Sequence, residues 1–393
     1  MEKLDSRGCY WRLKRVFYRL KQAGRQWKKK LHKVLMKLEF KHTFTDDCLY
    51  IKKENKRIAL IILVHINDTV IAGLQKLKII SFKNALNKDF EITDLSELKY
   101  MLSIMVIQNC ANRLIYLNQL AYIHQILIWF GMQDANTVSI PLPVKHNLTL
   151  SQCLKTNNEK QAYKDYAKGI HYLSLVGPLL FAIQMQPNIQ FAVGLVAQFS
   201  GNSGIAYSEA TKRILHYLKN IVDLNLILGR HGKKAFDLVG WTDSNWAQNT
   251  DDCKSVGGFV FDVTGRSISW LSKKQSTVAT SSVKAEYIAS ANATKEAVWL
   301  YILLHELDYS QTMATIIHVD NQGCIALANN PVSHSCAKHI DIQHHFICNH
   351  IEQGEVKLHY VPTKDMLADI FTKALPCDAF ERFHACLGVL NCF

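Results

Sequence analysis

Nowhere in the 393 residues does an apolar run approach the ~18 residues that a membrane span requires. The stretch Ala59–Val64 (ALIILV) stops at His65 and has the length of a strand. The opening MEKLDSRGCYWRLKR is charged and lacks the apolar segment of a signal peptide, so none is expected. No two cysteines are spaced as CxxC, and the eleven present are scattered and odd in number. A disulfide framework is therefore excluded, and reduced thiols in a cytoplasmic or nuclear protein are expected. Acidic residues are scarce at the start: residues 1–40 hold 3 against 13 basic ones.

The balance reverses further on. Residues 236–373 hold 15 acidic and 10 basic residues, within a chain whose net charge is +13. A basic arm suits a polyanion such as nucleic acid, and clustered carboxylates suit divalent metal. Charge alone leaves a solvated basic helix and an ordinary acidic surface equally open. At 48% hydrophobic and 20% charged, the chain is no disordered tail. Its length fits two or three domains.

Trp27–Phe40 spaces Leu31, Val34, Leu35 and Leu38 as one helical face under a lysine-rich surface. Cys48–Lys52 and Arg57–Ile66 read as strands around a polar turn, Lys53–Lys56. A third strand, Thr69–Ala72, follows a tight hairpin turn at Asn67–Asp68. Ser81–Asp89 and Ala121–Phe130 are expected helices, with a hairpin of Tyr100–Gln108 and Arg113–Leu117 between them. Asn136–Thr156 has the prolines and polar residues of a linker. Tyr172–Phe199 and Ser208–Leu218 read as a helical pair, with Pro187 breaking or starting a helix.

From Phe236 the pattern changes to β-β-β-α-β-α-α-β-α. Strands are expected at Phe236–Asp243, Gly257–Val263, Arg266–Leu271, Thr315–Asp320 and Val356–Val361. Helices are expected at Ser282–Leu307, capped by Ser281 or Ser282, and at Gln322–Asn329, Lys338–Gln353 and Asp365–Lys373. The order predicts an antiparallel meander followed by crossover units that add parallel strands.

Four acids stand at telling places in that pattern. Asp243 and Asp320 end strands, Glu286 lies in the first turns of the long helix, and Asp369 lies in the last expected helix. Strand ends and helices packed across them converge at one edge of an α/β layer. Carboxylates gathered there repel unless cations sit among them, and two Mg²⁺ or Mn²⁺ ions are the natural occupants. Such a pair activates water at a phosphodiester. For any single acid, a surface residue or helix cap is the ordinary reading.

The segments WTDSNWA (241–247), SVGGFVF (255–261), ISWLSKKQSTVATSSVKAEYIA (268–289), HVDNQGCIALANNPVSH (318–334), KHIDIQHHF (338–346) and YVPTKDMLADIFTKALP (360–376) resemble the ribonuclease H domain of copia-type retrotransposon Pol polyproteins. The resemblance implies that Asp243, Glu286, Asp320 and Asp369 are the family's Asp-Glu-Asp-Asp catalytic and metal-binding set. Many ribonucleases H carry a histidine in the loop before the last Asp. The loop Pro362–Met366 has none, and His359 falls in an expected strand.

Upstream, LKRVFYRLKQAGRQWKKKL (13–31), ILVHINDTVIAG (62–73), FEITDLSELKYMLSI (90–104), FGMQDANTVSIPLP (130–143) and YLSLVGPLLFAIQMQPNIQFAVG (172–194) resemble the family's reverse-transcriptase, thumb and connection segments. The departures bear on activity. Where the family has Tyr-Val-Asp-Asp, this chain has His65, Ile66, Asn67 and Asp68. An amide is a poor Mg²⁺ ligand beside a carboxylate. The family's earlier metal-binding Asp and its fingers match nothing in the sequence. Arg19 replaces a Gly, Gly24 replaces a Pro, and Ser103 stands where Leu-Gly-Ile has its Gly. Loss of DNA polymerase activity is therefore expected.

The expected architecture is multidomain, α+β and α/β. It comprises a truncated reverse-transcriptase palm and thumb (1–135), a linker (136–171), a helical connection (172–235), a ribonuclease H-like domain with a mixed five-stranded sheet (236–376) and a C-terminal tail (377–393). The expected function is cleavage of an RNA–DNA hybrid with two divalent ions. The rival is a non-enzymatic nucleic-acid-binding remnant of a decaying retroelement. Lys14, Arg15, Lys21, Arg25, Lys28, Lys29, Lys273 and Lys274 are the expected nucleic-acid contacts, with Gln275 beside them; no membrane partner is expected. Trp11, Phe17, Tyr18 and Trp27 either stack on bases or pack a core. His334, His339, His344, His345 and His350 with Cys336 and Cys348 raise zinc, but their spacing stacks on no helical face and includes no paired Cys.

Overall fold

The computed structural model describes residues 20–146, 148–229, 237–329 and 338–391, and the side chains of all of these except 338–344. The chain divides into two compact units, residues 1–97 with 302–310 and residues 98–301 with 311–393.

In the first unit the amphipathic helix forms at Ala23–Lys37 and buries Leu31, Val34 and Leu35. These pack with Tyr50, Leu60, Ile62 and Val64 from an antiparallel sheet of Lys41–His42, Leu49–Glu54, Arg57–His65 and Asp68–Gly73. Alternate residues of Arg57–His65 face inward, as a sheet with one wet face requires. The register pairs His65 with Asp68, so the hairpin tip is Ile66–Asn67, one residue earlier than expected. Ile66 takes φ 52°, an uncommon conformation for a β-branched residue. The next helix runs Lys76–Leu86, starting before the expected Ser81. Its face is set by Ile79, Phe82 and Leu86, three and four residues apart, which lie on the same core.

The second unit contains two five-stranded sheets. One is antiparallel, in the order Val389–Leu390, Asn225–Gly229, Leu114–Asn118, Ile104–Asn109 and Tyr100–Met101. The expected hairpin of Tyr100–Gln108 with Arg113–Leu117 forms through Ile104–Asn109 and Leu114–Asn118, and a second, shorter hairpin precedes it, because Leu102 and Ser103 turn the chain with φ 50° and 61°. The stretch Tyr172–Phe199 is divided at Pro187, as that proline led us to expect. Tyr172–Ala182 and Gln190–Ala197 flank a 3-10 turn that starts at Pro187. Ile205–Asn220 completes the group.

The other sheet is mixed, in the order Arg266–Lys274, Val256–Val263, Leu238–Asn245, Thr315–Val319 and Val356–Tyr360. Its first three strands are antiparallel, and the last two join parallel. The helix Ser282–Glu306 connects the meander to the parallel half. Ser281 caps it: the Lys284 amide donates to Ser281 Oγ at 3.2 Å. The expected final helix at Asp365–Lys373 is absent. Two 3-10 turns stand there, Thr363–Asp365 and Leu367–Phe371. All five residues of the second turn are buried, so it has no polar face on which an amphipathic helix would rest.

Two stretches carry more structure than expected. Residues 157–167, assigned to the linker, form the helix Asn157–Ala167, which Thr156 and Glu159 close with a capping box. The expected tail forms the helix Cys377–Cys386 and the strand Val389–Leu390. Phe380, Phe383 and Leu387 bury one face of it. They join a single apolar core that includes Leu175, Leu179 and Ile214 of the helices and Val256, Val260 and Phe371 at the mixed sheet.

No disulfide joins the described cysteines. No helix among the described residues is long and apolar enough to cross a membrane.

A candidate metal centre

Asp243 lies near the end of the strand Leu238–Asn245, opposite Gly258 in the register. Glu286 is the fifth residue of the long helix, and Asp320 directly follows the strand Thr315–Val319. These elements bring three carboxylates together: one oxygen from each of Asp243, Glu286 and Asp320 lies within 4.8 Å of the others. Asp243 and Glu286 are buried, and Asp320 is half-buried. Among the described residues this is the one group of three or more His, Cys, Asp or Glu side chains with such geometry.

Neighbours fix each acid. Ser244 donates its amide to Glu286 Oε1 at 3.1 Å. Thr363 donates its hydroxyl to Asp320 Oδ2 at 2.7 Å. Thr372 donates its hydroxyl to Asp243 Oδ2. Gln275, expected on the surface beside Lys273 and Lys274, is buried instead. It donates to Ser244 Oγ at 3.2 Å and to the Ala285 carbonyl at 2.9 Å, tying the Asp243 strand to the Glu286 helix.

Asp369 is buried on the 3-10 turn and faces a cation. Lys373 Nζ lies 2.8 Å from Asp369 Oδ1 and 4.0 Å from Asp243 Oδ2. The turn approaches the sheet through a missing side chain: a Cβ at Gly258 would stand 2.6 Å from Phe371 Cβ.

The electrostatics follow from burial and crowding. Burial, then Asp243 and Asp320, push the Glu286 carboxyl up to about 9. Burial, then Asp243, raise Asp369 to about 7 against the pull of Lys373. Burial also raises Asp243, opposed by Lys373 and Thr372. Burial alone would lower Lys373, but Asp243 and Asp369 hold its pKa above the ordinary lysine value. Glu286 Oε2 is buried with no hydrogen-bond partner among the described residues. A crowded set of hard oxygens, one of them unpartnered, fits a divalent cation.

The other expected residues are dispersed. His65, Ile66, Asn67 and Asp68 are all exposed at the first unit's hairpin, and Asp68 joins no acidic cluster among the described residues. Lys21, Arg25 and Lys29 are exposed at the first helix, and Lys28 pairs with Asp47 at 3.4 Å. Lys14, Arg15, Trp11, Phe17 and Tyr18 lie outside the described residues, while Trp27 packs against the core. Lys273 is exposed, whereas Lys274 is held by Asp252 at 2.9 Å. His359 pairs with His318 in the sheet register. His350 Nδ1 lies 2.5 Å from Glu355 Oε2, Cys348 is buried against the Ala328 carbonyl, and His334 and Cys336 lie outside the described residues.

The sequence reading missed Thr363, Thr372 and Lys373. The signal for Lys373 was its place four residues after Asp369, within reach across one turn.

Residues 2–144 match the family described as reverse transcriptase (RNA-dependent DNA polymerase). The chain is 34% identical over 379 residues to the retrovirus-related Pol polyprotein from transposon TNT 1-94 of Nicotiana tabacum, covering 96% of this chain and 28% of that protein. It is 32% identical over 381 residues to the Pol polyprotein from transposon RE1 of Arabidopsis thaliana, covering 96% of this chain and 25% of that protein. The chain thus spans about a quarter of the curated relatives it matches. The crystal structure of LC11-RNase H1 in complex with an RNA/DNA hybrid aligns with a TM-score of 0.26 and 15% identity, covering 35% of this chain and 94% of that one.

Proposed function

Because the chain belongs to the Pol polyprotein family of copia-type transposons, we propose that residues 236–376 cleave the RNA strand of an RNA–DNA hybrid with divalent metal, as a ribonuclease H. One observation carries this reading: Asp243, Glu286 and Asp320 place carboxylate oxygens within 4.8 Å of one another at one edge of the mixed sheet. These three would hold Mg²⁺ or Mn²⁺, hard cations that take oxygen ligands. When bound, such a cation supplies a Lewis acid for the phosphodiester and an acidified water.

The chain's own residues preorganise that chemistry. Thr372 orients Asp243, Thr363 orients Asp320 and the Ser244 amide orients Glu286. Gln275 keeps strand and helix in register beneath them. Lys273 at the sheet, and Lys21, Arg25, Lys28 and Lys29 with Lys14 and Arg15, are proposed to contact phosphates without reading sequence. In the reverse-transcriptase segment, Asn67 leaves Asp68 without a neighbouring carboxylate, and we infer that the chain does not polymerise DNA.

The test is a hybrid with labelled RNA, incubated with purified protein and Mg²⁺. Cleavage that stops on chelation is the expected result. Uncut RNA with retained hybrid binding would favour an inherited nucleic-acid-binding remnant, a reading that the Asn67 substitution supports.

A further inference from the structure

The four acids do not converge equally. The close cluster comprises Asp243, Glu286 and Asp320. Asp369 is engaged by the Lys373 ammonium at 2.8 Å, and that ammonium also faces Asp243 Oδ2 at 4.0 Å. The same Asp243 oxygen already accepts the Thr372 hydroxyl. The lysine is held there by the chain itself. The amides of Thr372 and Lys373 both donate to the Asp369 carbonyl at 3.1 Å, and Phe371 anchors the turn with 0% exposure.

A second ion shared by Asp243 and Asp369 would need oxygen contacts of about 2.1 Å and room for about six ligands. The gap between those carboxylates instead faces an ammonium and a hydroxyl. A divalent ion placed there would be repelled by the ammonium at short range in a buried setting. The ammonium supplies positive charge between the two acids without the dehydration that Mg²⁺ resists.

Resting on the ribonuclease reading, we propose that Lys373 acts as a tethered cation in place of a second metal, so that Asp243, Glu286 and Asp320 hold one divalent ion. Asp369 is then the lysine's partner and not a ligand of the ion. Lys373 is a positioning residue, and its removal changes how many ions bind.

The experiment counts Mn²⁺ on the full chain by the electron paramagnetic resonance of free Mn²⁺. It is run alone and with a hybrid whose RNA carries 2′-O-methyl riboses to resist cleavage, and the hybrid's own binding is subtracted. The wild type should bind one ion in both states. Lys373→Met should bind two with the hybrid present, Lys373→Arg should stay at one, and Lys373→Met with Asp369→Asn should return to one. Two ions on the wild type would overturn the inference while leaving the ribonuclease reading intact. Lys373→Met remaining at one would also overturn it. No ion on the wild type would overturn both. Should Lys373→Met fail to fold by circular dichroism, the wild-type count with hybrid decides: one supports the inference and two overturns it.

Discussion

Thr372 donates its hydroxyl to Asp243 across 129 residues of sequence, joining the 3-10 turn to the central strand of the mixed sheet. This contact fixes which way the Asp243 carboxylate points. Thr372→Val keeps the volume and removes the donor. Mn²⁺ affinity should fall about 10-fold, within the range seen when second partners of metal ligands are lost. Calorimetric titration checks this, and an unchanged affinity would show that the hydroxyl does not matter.

Asp243→Asn removes charge from the centre of the cluster with almost no change in shape. Hybrid cleavage should fall at least about 100-fold while the thermal midpoint holds or rises, since a crowded negative charge is lost. Gel assay and circular dichroism on the same preparation separate the two effects.

Gly258→Ala should destabilise the second unit. The added Cβ would stand 2.6 Å from Phe371 Cβ and 3.1 Å from the Leu271 carbonyl oxygen, and Gly258 pairs with Asp243 itself. Overpacking of this kind costs about 1–3 kcal/mol. Denaturant unfolding should show a lower midpoint at an unchanged slope.

His384 makes stability depend on pH. Burial drives its pKa down to about 4, against a smaller opposing effect of Glu381. Between that value and the ordinary ~6.5, the unfolded chain takes up a proton that the folded chain refuses. The His384 contribution is therefore complete above about pH 6.5 and is lost as pH falls toward 4, by at most about 1.4 kcal/mol per pH unit. Unfolding midpoints at about pH 5 and about pH 7 measure it. His384→Phe, which keeps a ring against Phe380, should shrink the difference.

Much of this site was legible because its signals are local. Each of Asp243, Glu286 and Asp320 stands at a strand end or a helix start, positions that periodicity locates. The residues that orient them were not legible, since Thr372 and Thr363 meet their acids only after the chain has folded across long sequence separations. Asp369 was expected on a helix, and Leu367, Ile370 and Phe371 do have the spacing of a helical face. That face turned out to have no solvent side at all. The strand Asn225–Gly229 was missed for a related reason. Its partners are Leu114–Leu117 and Val389–Leu390, too remote for any local pattern to announce. The C-terminal helix was legible in Phe380, Phe383 and Leu387, whose spacing was overlooked.

The apolar core has one further consequence. It runs from Ile123 through Leu179 and Ile214 to Phe371 and Val389 without a break. A gene fragment starting near residue 237 would therefore be cut through its own interior, with half of a greasy seam laid open to water. Packing lost in the upstream helices would loosen Val256, Val260 and Phe371, which lie beside the strand that carries Asp243 and on the turn that carries Asp369.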